Sequence, residues 1–96
     1  MKEVFLVPAE ARLKAEEALK KDDVVSRGSI ILRAASSLEI KEDGYFIVVE
    51  SSEEGIKKAT ELLKGLATRY AKKDVVLKKI EEQDDAALAG FGSILG

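Results

Sequence analysis

Ninety-six residues with a net charge of −2 and a hydrophobic share of 46% describe one globular domain, and they argue against disorder and against an all-round polyanion binder. With no His and no Cys, structural zinc, iron–sulfur ligation, thiol nucleophiles and Ser-His or Cys-His triads are excluded. The longest apolar run, Tyr45-Phe46-Ile47-Val48-Val49, falls far short of the roughly 20 residues that span a bilayer.

The chain starts with one Lys and one Glu before a short apolar run, which is no signal peptide, so the expected location is cytoplasmic. Twelve Lys and twelve Glu, with no Asn and a single Gln, match the compositional pattern of hyperthermophile proteins.

Glu3–Val7 predicts a first strand buried on both faces and stopped by Pro8. Pro at a first helical turn costs nothing, and the Ala-, Glu-, Lys- and Leu-rich run that follows predicts a helix over Pro8–Lys21. Its inward stripe is Ala11, Ala15, Ala18 and Leu19, small enough to lie close against a sheet, while Leu13 points away. Lys21-Asp22-Asp23 ends that helix and Ser26-Arg27-Gly28-Ser29 forms a turn. The stripe Ile31, Ala34, Ala35 and Leu38, with Ser29 as N-cap, predicts a short helix. Ile30-Ile31-Leu32 as a short buried strand is its rival.

Leu38 and Ile40 alternate with Glu39 and Lys41 as in a half-buried strand, and Asp43-Gly44 is a strong hairpin-turn signal. Tyr45–Val49 then reads as a central strand with both faces buried. Ser51-Ser52-Glu53-Glu54 supplies an N-cap and an acidic first turn for a helix with the inward stripe Ile56, Ala59, Thr60 and Leu63, closed by Gly65. Leu66–Ala71 alternates as an edge strand; continuation of the helix through Gly65 is the rival. Asp74 caps a last helix with the stripe Val76, Leu77, Ile80, Ala87, Leu88 and Phe91, with a strand over Val75–Ile80 as the alternative. Residues 1–89 make one domain, and 90–96 form an apolar, Gly-rich tail.

This order predicts an α+β, two-layer sandwich: a ferredoxin-like βαββαβ arrangement with helices on one face of an antiparallel sheet and an extra C-terminal helix.

Candidate sites are few. Phe91, Ile94 and Leu95 beside Gly90 and Gly92 form a candidate interface, since apolar clusters in a charged chain mark contacts. Arg27, Ser29 and Arg33 form a candidate anion site, provided that Ser29 opens a helix whose free N–H groups face a phosphate or carboxylate. Four Lys-Lys pairs lie interleaved with acidic neighbours and read as a salt-bridged surface; only Tyr45, Tyr70 and the Phe residues are available to stack bases. Glu81, Glu82, Asp84 and Asp85 lack the Gly and alternating-ligand spacing of a calcium loop, so no metal is expected, and no cofactor.

Arg33-Ala-Ala-Ser-Ser-Leu38, Asp43-Gly-Tyr-Phe-Ile-Val-Val-Glu50 and Gly90-Phe-Gly resemble small uncharacterised proteins of thermophilic archaea over the last two-thirds of the chain. The resemblance implies no activity, ligand or catalytic residue. The expected function is therefore a non-enzymatic oligomerising or protein-interaction module. A domain for a small anionic ligand comes second, and a weak RNA-binding module third.

Overall fold

The computed structural model describes residues 1–83. In chain order these are β1 (Lys2–Val7), a 3-10 turn (Ala9–Ala11), α1 (Arg12–Lys21), α2 (Asp23–Ser26), β2 (Ser29–Ala34), a second 3-10 turn (Ser36–Leu38), β3 (Tyr45–Glu50), α3 (Glu53–Leu62) and β4 (Thr68–Arg69). A last helix, α4, covers 73–83 of the described residues. The protein is an α+β domain with a four-stranded sheet in the order β2-β3-β1-β4. Every neighbouring pair is antiparallel.

The two inner strands carry the apolar sequences. β3 has Phe46, Ile47, Val48 and Val49 all buried, because helices cover both faces of the sheet and alternate side chains are equally shielded. On one face Phe5, Val7, Ile47 and Val49 meet Ala15 and Leu19 of α1, Val25 of α2, and Ile56, Ala59 and Leu63 of the α3 segment. On the other, Val4, Phe46 and Val48 meet Ala35, Leu38, Val76 and Ile80. The extra C-terminal helix is thus a third layer, where the sequence predicts two. Its Val76 and Ile80 recur at i and i+4, which turns one narrow stripe onto β1 and β3.

Local chemistry sets the ends of the elements. The Asp22 carboxylate accepts from the N–H groups of Val24 and Val25, both at 3.0 Å, and so starts α2, a helix absent from the sequence reading, while the Asp22 backbone N–H closes α1 on Leu19 O. Ser52 caps α3 as expected, accepting from Gly55 N–H at 3.2 Å. Gly65 takes φ +83° two residues past the α3 C-cap, so the helix stops and the chain turns into β4. That strand is only two residues long, at the edge, where six were expected.

Three expectations change. The segment after Ser29 is a strand, not a helix. As a strand it places Ile30 and Leu32 against one core and Ile31 against the other, and gives β3 a second hydrogen-bonding partner; a helix would have buried one stripe only. The hairpin therefore joins 29–34 to 45–50, and Leu38–Lys41 is no strand. Leu38 is buried at the end of a 3-10 turn, and Glu39 follows with φ 60°. Asp74 is not an N-cap, because α4 is under way at residue 73 and the N–H groups of Val75 and Val76 bond Lys72 O.

Candidate functional site

The predicted anion site does not assemble as a helix N-terminus. Ser29 is the first residue of β2, so no row of free helical N–H groups begins there. Arg27 is the exposed C-cap of α2, and it borders a shallow depression of about 290 Å³ with Val24, Gly28, Ser51, Ser52 and Glu54. Ser29 opens instead onto a separate groove of about 360 Å³ between the sheet and α4, shared with Lys2, Ile31, Glu50, Leu77 and Glu81. Arg33 lies further along β2, on the same face as Ser29 and Ile31, and its Nη1 donates to Leu32 O at 3.2 Å. The sheet geometry thus keeps Ser29 and Arg33 on one face and puts Arg27 elsewhere. The predicted interface residues Phe91, Ile94 and Leu95 lie outside the described residues.

A cleft of about 650 Å³ at one end of the sheet was not legible in the sequence. Its walls come from three separated segments: Leu6, Pro8 and Glu10; Asp43 and Gly44; Gly65, Leu66 and Ala67. The available signals were the turn-formers Pro8, Gly44 and Gly65, which bring these loops to one end of the sheet. Among the described residues the lining is uncharged apart from the carboxylates of Glu10 and Asp43, and Thr68 supplies its one hydroxyl.

Elsewhere the charged groups pair at the surface. Glu3 reaches Arg69 Nε at 3.4 Å and Lys73 Nζ at 3.9 Å, tying β1 to β4 and to α4. Lys58 faces Asp22 at 3.9 Å and Lys2 faces Glu50 at 3.7 Å. The Glu16 carboxyl is held below its ordinary pKa by the hydrogen bond from Lys20 at 2.6 Å and by that ammonium's charge. Arg12 stacks over the Tyr45 ring at 4.8 Å. The Tyr70 hydroxyl is pushed above its ordinary pKa by burial and then by Glu42, which adds a negative charge and accepts its hydrogen bond.

Among the described residues no polar or charged side chain is fully buried, and none forms a three-member group of metal-ligating type. No described helix is long and apolar enough to cross a membrane. Comparison with family models, curated proteins and solved structures finds no match to the chain. The expected resemblance to small thermophile proteins finds no support in these comparisons and carries no role onto any residue.

What the structure does present, among the described residues, is an open sheet edge. β2 is the outer strand beyond β3, six residues long, with half-buried Ile30, Ile31 and Leu32 at its centre and Arg33 as its one charge. Sequence reasoning missed it because it read the segment as a helix.

Proposed function

We propose that this protein is a non-enzymatic module that works by protein–protein contact, joining sheet edges. One observation carries the reading: β2 leaves a long apolar edge uncovered among the described residues, with none of the Lys, Pro or bulges that usually blunt such edges. Binding surfaces need no buried titratable group, whereas acid–base or nucleophilic chemistry gathers perturbed groups in a cleft, and among the described residues the cleft of about 650 Å³ has only two carboxylates, both exposed. The ferredoxin-like assignment belongs to the same proposal. It is supported by the order β2-β3-β1-β4, with α1 and α2 joining β1 to β2 and α3 joining β3 to β4. The composition, rich in Lys and Glu and without Asn, supports a thermophilic origin.

Light scattering on the full chain and on a chain ending at Ala89 tests the assembly reading. The full chain is expected at twice its 10.4 kDa monomer mass. The shortened chain keeps that mass if the sheet edge carries the contact, and loses it if Phe91, Ile94 and Leu95 do. A monomer for the full chain at every concentration overturns the reading.

A further inference from the structure

We infer that the partner of the β2 edge is a second copy of the same strand, paired antiparallel about a two-fold axis at Leu32; this rests on the interaction reading above. The ladder settles which groups point outward. Ala35 N–H bonds Gly44 O at 3.0 Å, in register with the Ala34–Tyr45 pair. Alternate residues of an antiparallel strand face opposite neighbours, so Ser29, Ile31 and Arg33 turn their backbone groups to β3 while Ile30, Leu32 and Ala34 turn theirs outward. The N–H groups of these three have no hydrogen-bond partner among the described residues. Two of the outward carbonyls accept one local bond each, Leu32 O from Arg33 and Ala34 O from Ser37 Oγ at 2.7 Å. Each keeps a second lone pair.

A two-fold at Leu32 pairs Leu32 with Leu32 of the copy and Ile30 with Ala34, satisfying all three N–H groups on each chain. It sets Arg33 opposite Ile31. Moving the axis to Arg33 opposes two guanidinium groups, which is unfavourable. Moving it to Ile31 sets Ala34 O opposite Gly28 N–H, which already bonds Val25 O. Ile30 and Leu32, half-buried at the margin of the first core, gain cover from their symmetry mates. The contact also closes. The opposite edge, β4, has two exposed residues, too short to propagate a fibre, so the one long edge among the described residues yields a dimer.

Since the chain has no Cys, a single introduced thiol reports the register. Leu32→Cys is expected to form a disulfide-linked dimer on mild oxidation of the folded full chain. The paired Cα atoms would lie about 5.5 Å apart, inside the disulfide range, whereas Ile30→Cys and Ala34→Cys place theirs too far apart. Leu32→Pro removes an outward N–H while leaving the β2–β3 bonds, and is expected to weaken the dimer about 100-fold with its circular dichroism retained. If wild type is a dimer but Leu32→Cys does not crosslink, or folded Leu32→Pro keeps its mass, this pairing is overturned while the assembly reading stands on another surface. If wild type is a monomer, both fall. Should Leu32→Pro unfold, the crosslinking pattern alone decides.

Discussion

The Tyr70 ring stands edge-on to the Phe46 ring, their centroids 4.8 Å apart and their planes at 64°. This pair joins the segment after β4 to the central strand on the face that α4 covers. Edge-to-face pairs add about 0.5–1.5 kcal/mol beyond burial. Tyr70→Leu is therefore expected to lose about 1 kcal/mol or more in urea unfolding, and Tyr70→Phe to keep the ring contact.

The same residue makes stability fall in alkali. Its folded-state pKa lies above the unfolded value because burial, and then Glu42, disfavour the phenolate. The neutral hydroxyl's contribution is thus complete below the unfolded pKa of about 10 and is lost as pH rises through the folded value. Melting temperatures between pH 8 and 11.5 should fall at the top of that range for wild type and less for Tyr70→Phe. A Tyr45→Phe protein, whose remaining tyrosine is Tyr70, should titrate above the ordinary tyrosine range by ultraviolet absorbance.

Asp22 caps α2 with its carboxylate and closes α1 with its backbone N–H. Asp22→Ala is expected to cost about 1–2 kcal/mol, and Asp22→Asn less, as an amide oxygen also accepts at an N-cap. Denaturant melts check this; equal losses for both would show that the Lys58 ion pair, not the cap, carries the effect.

Gly44 and Gly65 both take positive φ, at 109° and 83°, but in different surroundings. A methyl at Gly44 would run into the Val7 carbonyl oxygen, whereas nothing lies within 4 Å of one at Gly65. Gly65→Ala should cost about 1 kcal/mol from left-handed strain alone, and Gly44→Ala more than about 2 kcal/mol, because β1 and the β3 entry must also part.

Leu19 and Leu13 share α1 but are 0% and 62% exposed. Leu19→Ala should cost about 2–5 kcal/mol through the cavity it leaves, and Leu13→Ala less than about 0.5 kcal/mol. A change in native mass for Leu13→Ala would make α1 part of an interface.

Elements that rest on local chemistry were readable from the chain. β1, with Pro8 at its end, needs no distant partner to be recognised, nor does α3 between the Ser52 cap and Gly65. β3 is equally plain, since five consecutive aromatic and β-branched residues suit a strand shielded on both faces. Ser29–Ala34 carries a helical stripe and an apolar run at once, so its periodicity admits either state. The choice is made 11 residues or more away, by the free side of β3, which needs hydrogen-bond partners that a helix does not offer.

Composition and spacing thus settled that this is an α+β chain without thiol or imidazole chemistry, because residue identity and periodicity are local properties. The placement of α4 on the second face, the cleft between three loops and the open edge of β2 were set by contacts between segments far apart in the chain. Those depend on which buried groups can find partners once the sheet has formed, and no window of neighbouring residues contains that information.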